Sequence, residues 1–241
     1  LAIPDFTPEQ LAEGYTLLID KPLHWTSFDA VNKLKSLCKY RWELPKLKIG
    51  HAGTLDPLAT GLLVICTGKH TKQVDTLQAE KKTYTGILRL GATTPSYDLE
   101  TDIDQEYPTE HILPEMLTEA ALSLTGSIMQ HPPAFSAIKI DGKRVYKKAR
   151  AGHEIIVPAR PVEIYSFSVD GSRFPDVRFK VECSKGTYIR SLVYDFGKIL
   201  NSGAYLSELR RTKSGNFSVE DAFSVETLEA YFTETRQDTP S

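Results

Sequence analysis

The sequence predicts an α+β fold. Strand-like and helix-like spacings are mixed without regular β-α-β alternation, no internal repeat or low-complexity linker divides the chain, and a basic stretch interrupts the strand pattern between residues 131 and 152. Gly14 to Asp20 reads as a strand. Ser27 reads as the N-cap of a helix over Phe28 to Lys39, where Phe28, Val31, Leu34 and Leu37 recur near helical spacing. Lys82 to Leu90 alternates like a strand, Leu113 to Leu124 reads as a helix, and Val162 to Val169 and Val177 to Cys183 read as further strands. Tyr188 to Leu200 and Tyr205 to Arg211 are expected to be helical. One domain over residues 1–241 is expected. Residues 131–152, with Pro132-Pro133 and Asp141-Gly142, form a long excursion of the kind that clasps a ligand, and residues 224–241 form an acidic tail.

The composition narrows the function. With 241 residues, 41% of them hydrophobic and 25% charged, the chain is long enough to bury a large core and excludes collagen, coiled coil and wholesale disorder. Cys38, Cys66 and Cys183 lie far apart with no C-x-x-C, so no disulfide scaffold, zinc site or redox pair is predicted, and reduced thiols in a cytoplasm are expected. No apolar run approaches a membrane span, and the N-terminal Leu-Ala-Ile-Pro-Asp-Phe lacks the features of a secretory signal. Without secretion, the sequon Asn216-Phe217-Ser218 carries no message.

The net charge of −2 hides a basic body. Asp98 to Glu119 holds eight acids and no Lys or Arg, and Glu220 to Ser241 holds six acids against Arg236 alone; the remainder carries 28 basic and 17 acidic residues. Lys139, Lys143, Arg144, Lys147, Lys148 and Arg150 oppose only Asp141. Smaller clusters are Lys46/Lys48, Lys69/His70/Lys72, Lys81/Lys82 and Arg210/Arg211/Lys213, with Tyr84, Tyr146, Tyr188 and Tyr205 among them. Any one cluster is an ordinary solvated face. Together they fit a nucleic-acid surface, because phosphates attract cations while unstacked bases need ring faces.

The most informative segment is Lys48 to Leu63. Gly50, Gly53 and Gly61 permit close backbone approach, Pro57 fixes the chain after Asp56, and Leu58, Leu62 and Leu63 can anchor the loop on the core. Asp56 is therefore a carboxylate on a rigid loop, suited either to capping a turn or to chemistry. A phosphate-binding P-loop fails, since Leu63 stands where the first Gly belongs and His70 follows Lys69.

Gly50-His51-Ala52-Gly53-Thr54-Leu55-Asp56-Pro57-Leu58-Ala59-Thr60-Gly61 resembles the catalytic motif of the TruB-type pseudouridine synthases. Further blocks follow the family's order. They are Asp20-Lys21-Pro22 with Thr26-Ser27, Lys82-Thr83-Tyr84 with Arg89-Leu90-Gly91, Pro132 to Ala137, Gly142 to Tyr146 with Ala149-Arg150, Gly186 to Leu192, and Leu209-Arg210-Arg211. The resemblance covers roughly residues 15 to 223. It implies the pseudouridine synthase catalytic fold, a central mixed, largely antiparallel sheet flanked by helices and loops.

It also implies an enzyme that isomerises uridine to pseudouridine at position 55 in the tRNA T loop, without cofactor or metal, acting as a monomer that needs no protein partner. By resemblance Asp56 is the catalytic carboxylate, and Arg190 is the ion-pair partner that keeps it ionised and orients it. Tyr84 is the ring that stacks on the base. His51, Tyr188 and Leu209 match positions beside the flipped nucleotide, and Lys82, Lys139, Lys143, Arg144, Lys147 and Arg150 fall to RNA binding. Taken alone, Arg190 reads equally as a surface ion pair and Tyr84 as a strand aromatic facing the core. The same chemistry on another RNA, and a tRNA-folding chaperone, are the alternatives. His24 replaces the usual Gly of the first block, Thr94-Pro95-Ser96-Tyr97-Asp98 replaces Thr-Asp-Thr-x-Asp, and Tyr205 stands where His is common. The family's extra RNA-binding PUA domain is not expected after Phe223.

Overall fold

A computed structural model describes residues 5–44, 46–135, 139–140, 143–144 and 157–234. Its contacts divide the chain into two compact units, residues 1–83 with 210–241 and residues 84–209.

In the first unit, β1 (Thr16–Lys21) pairs antiparallel with β3 (Ala59–Thr67), Thr16 opposite Cys66 and Lys21 opposite Gly61. The short β2 (Ile49–His51) also runs antiparallel to β3, so the far end of β3 has a neighbour on each side. β3 is buried nearly throughout, which explains its run of Leu, Val and Ile. One face meets α2 (Ser27–Arg41) and α6 (Val225–Glu234), with Val31, Leu34, Leu63, Ile65, Leu228 and Phe232 in the same core. Phe6, just before α1 (Pro8–Glu13), sits in that core too. The Thr7 hydroxyl accepts from the Gln10 amide and the Gln10 side chain accepts from the Thr7 amide, a reciprocal cap that starts α1. After β3 come a 3₁₀ turn (Gly68–Gln73) and α3 (Val74–Ala79).

The second unit holds most of β4 (Lys82–Leu90), then β5 (Ala92–Thr93), β6 (Gln105–Glu106), α4 (Pro114–Ser123) and β7 (Gly126–Gln130). Beyond β7 lies a two-stranded hairpin, β8 (Lys139–Ile140) and β9 (Lys143–Arg144). There follow β10 (Arg160–Arg173), β11 (Asp176–Cys183) and α5 (Ile189–Ile199). β7, β10 and β11 form an antiparallel meander. Leu117, Ala120 and Ala121 of α4 and Leu192, Val193 and Phe196 of α5 cover it.

Three sequence-based expectations change. Tyr205 to Arg211 is not helical but part of β12 (Ala204–Ser214), which continues into a short pairing with β13 (Phe217–Ser218). Its apolar residues 205, 206 and 209 mimic a helical stripe, but Ala204, Tyr205 and Leu206 are all buried inside a sheet, where burial on both faces removes the alternation that marks a strand. The N-cap of α2 is Thr26, one residue before the expected Ser27; its hydroxyl accepts from the Asp29 amide, and the Asp29 carboxylate accepts from Thr26. The segment 224–241 is not simply a tail, since α6 buries Val225, Leu228 and Phe232. The other predicted helices and strands are present, with ends shifted by a few residues.

Candidate active site

Asp56 lies in the loop between β2 and β3, half-buried, and the loop is gripped on both sides of it. The Ser27 hydroxyl accepts from the Leu55 amide at 2.8 Å and donates to the Leu55 carbonyl at 3.2 Å. The His24 amide donates to the Pro57 carbonyl at 2.8 Å. His24 takes φ 65°, the left-handed conformation that glycine supplies freely, so this turn keeps a glycine-type backbone with an imidazole on it. Ala59 closes the loop by donating its amide to the Asp56 carbonyl at 3.0 Å. Four backbone groups around one carboxylate are thus held by short-range contacts, which is what a fixed reacting group requires.

Arg211 braces the same loop from β12. It is almost wholly buried, donating through Nε to the Leu62 carbonyl at 2.7 Å and through Nη2 to the Gly53 carbonyl at 3.1 Å. Its neighbour Arg210 forms a bidentate pair with Asp20, at 2.9 and 2.6 Å. Lys21 is fully buried, and its Nζ donates to the carbonyls of Trp25 at 2.6 Å and Pro22 at 3.0 Å. Burial pushes this ammonium down to about 8, while the negative charge of Asp56 pulls it back up. A cation therefore stands inside the field of Asp56, and sequence reasoning did not assign it. His51 is half-buried in β2; burial lowers its pKa, the Gly53 backbone opposes that, and the Arg211 charge adds to it. Lys82 is buried, its Nζ donating to the carbonyls of Gln78 at 2.6 Å and Leu77 at 3.4 Å at the end of α3.

The second unit holds the other site residues. Arg190, near the start of α5, is 4% exposed, so it is no surface ion pair. Its Nε lies 3.6 Å from a carboxylate oxygen of Asp98, and its Nη1 donates to the carbonyls of Phe135 at 3.1 Å and Ser96 at 3.3 Å. Asp98 is itself buried in a turn where the Thr94 and Ser96 hydroxyls donate to its carbonyl and the Glu100 amide donates to its carboxylate. Asp98 too was not singled out from sequence; its signal was the family block that Thr94 to Asp98 departs from. Tyr84 on β4 is half-buried and packs against the second unit's core, as does Leu209. Tyr188 precedes α5, with its amide donating to the Gln130 side chain at 2.8 Å and its carbonyl accepting from it at 3.0 Å. The Arg160 guanidinium lies 5.0 Å from the centre of its ring.

Lys139 lies in β8 and Lys143 and Arg144 in β9, with Lys139 opposite Arg144. Lys147 and Arg150 fall outside the described residues. Among the described residues, no cluster of His, Cys, Asp or Glu could hold a metal ion, and no helix is long and apolar enough to cross a membrane.

Residues 41–189 match the model of the TruB family pseudouridylate synthase N-terminal domain, and residues 190–240 that of the tRNA pseudouridylate synthase B C-terminal domain. The chain belongs to the TruB family. It is a pseudouridine synthase, an isomerase. Among TruB-family relatives, a protein of Flavobacterium johnsoniae named tRNA pseudouridine synthase B is 57% identical over 92% of this chain and 98% of its own length. Its namesake in Phocaeicola vulgatus is 50% identical over 90% and 92%. A chain in the crystal structure of a Cbf5-Nop10-Gar1 complex superposes with a TM-score of 0.70 at 28% identity, over 98% of this chain and 61% of that one. A chain in the structure of an H/ACA RNP bound to a substrate RNA gives 0.67 at 26%, over 97% and 60%. This chain thus spans about three fifths of those two chains' length.

Proposed function

We propose that this enzyme converts uridine 55 in the T loop of tRNA to pseudouridine, with Asp56 as the essential carboxylate. What carries the reading is the relative named tRNA pseudouridine synthase B, which is more than half identical across 98% of its length. The grip on the Asp56 loop is the local support. The nucleotide is taken out of its stack, the N1–C1′ bond breaks, the uracil turns, and C5 joins C1′; the C5 proton leaves and N1 gains one. Atoms balance without a cofactor, metal or redox partner.

Asp56 is the ionised group the bond exchange needs, and the family resemblance assigns Arg190, which is desolvated beside Asp98, as the cation that keeps it charged. Lys21 adds positive field at the same carboxylate. Tyr84 stacks on the detached base, while Tyr188 and Leu209 pack around the nucleotide. His51, kept neutral by burial, serves as a wedge rather than a proton carrier. The basic hairpin and the residues after it, Lys139, Lys143, Arg144, Lys147 and Arg150, clasp the RNA backbone. The enzyme acts as a monomer without a protein partner, in the cytoplasm.

Asp56→Ala should abolish pseudouridine formation on an unmodified T-arm stem-loop while leaving its binding within about tenfold, or about 1.4 kcal/mol. Turnover retained in that variant would overturn the assignment.

A further inference from the structure

The second unit contains a pair of rings that the reaction does not require. Tyr97 and Tyr194 lie face to face, centroids 4.1 Å apart and planes inclined by 17°. Tyr97 adopts φ 64°, a conformation that bulky L residues avoid, and it is fixed there by its neighbours. Its amide donates to the Thr94 carbonyl at 3.0 Å, and its carbonyl accepts from the Leu206 amide at 2.9 Å.

The register of this contact is what gives it meaning. Tyr194 follows Arg190 by one helical turn and so shares its face of α5. On the facing turn, Ser96 offers its carbonyl to Arg190 and Asp98 its carboxylate, and Tyr97 stands between them with its ring on Tyr194. Three consecutive residues therefore meet two positions one turn apart on α5.

We propose that the Tyr97–Tyr194 stack is a positioning clamp that fixes the rotation and height of α5 against the 94–98 turn, and so sets where the Arg190 guanidinium points. Neither tyrosine is among the residues assigned above to the substrate. Burial raises both phenols, that of Tyr97 to about 12, so the stack carries no charge near neutral pH. The clamp's consequence for turnover rests on the catalytic reading of Arg190 given above, but its consequence for Arg190 geometry does not.

The test uses Tyr97→Gly, which suits the left-handed backbone but removes the ring, and Tyr194→Ala, with Tyr97→Phe and Tyr194→Phe as conservative rescues. Solvent exchange of the Arg190 Nε–H, followed by side-chain NMR, should accelerate at least tenfold in the Gly and Ala variants and stay at the wild-type rate in the Phe variants. On an unmodified tRNA transcript, kcat should fall 10- to 100-fold in the Gly and Ala variants with KM within about threefold, and Phe should restore it. Unchanged exchange in both truncations, or failure of both Phe variants to rescue, overturns the clamp. An Arg190→Lys control that kept full kcat while exchange still responded to the truncations would uphold the clamp and sink the catalytic role of Arg190 instead.

Discussion

At the residue scale, Lys21 is where structure adds most to the sequence. Asp20-Lys21-Pro22 marks the family but says nothing of an ammonium buried within the field of Asp56. With a folded-state value of about 8 against an ordinary 10.5, the unfolded chain binds the extra proton between those limits and the folded chain does not. Stability from this group therefore rises with pH across that window, and below pH 8 the folded state bears the full cost of the buried charge, roughly 3 kcal/mol. Denaturant unfolding at pH 7.5, 9 and 10.5 should show wild type gaining stability relative to Lys21→Met as pH rises. A difference between the two proteins that does not vary with pH would show that Lys21 is not desolvated. Asp56 and Arg190 were named by motif alone, because a carboxylate on a Gly-bounded loop looks the same whether it caps a turn or reacts. Lys21, Asp98 and Arg211 escaped for a plainer reason: their partners are far away in sequence or are backbone carbonyls, which leave no spacing to read.

At the scale of elements, the loop that carries Asp56 depends on β3 and β12 approaching more closely than side chains normally allow. Gly61 has φ 101°, and a methyl group placed there would lie 2.3 Å from the Arg211 carbonyl oxygen and 2.9 Å from the Arg211 nitrogen. Since Arg211 also holds Gly53, a shift of β12 would be passed to the Asp56 loop. Gly61→Ala should cost about 3 kcal/mol or more in thermal or denaturant unfolding; a loss below about 0.5 kcal/mol would mean the strands can separate freely. Helices α2, α4 and α5 and the four strands β1, β4, β10 and β11 were legible, because one-sided burial writes periodicity into the chain, as in α2 with Val31, Leu34 and Leu37 inside. β12 was not legible because burial on both sides erased its alternation. Ser27 was misassigned as a cap since Thr26 and Ser27 are equally good capping residues; only the long-range contact with Leu55 separates their roles.

At the scale of the whole molecule, charge segregation is the property that the average conceals. If the basic hairpin grips phosphates, Lys143→Ala with Arg144→Ala should weaken tRNA binding and reduce the slope of log affinity against log salt by between one and two. An unchanged slope would remove the hairpin from the RNA surface. The family blocks reach across nearly the whole sequence, so the reaction class was legible early. What no pattern could supply was the packing that holds Asp56 and Arg190 in place. The most direct measurement is the mapping of pseudouridine in an unmodified tRNA transcript incubated with the pure protein and no added cofactor, beside Asp56→Asn. Pseudouridine at position 55 with the wild type and none with the variant is the predicted result; modification by the variant, or wild-type modification only at other positions, would contradict it.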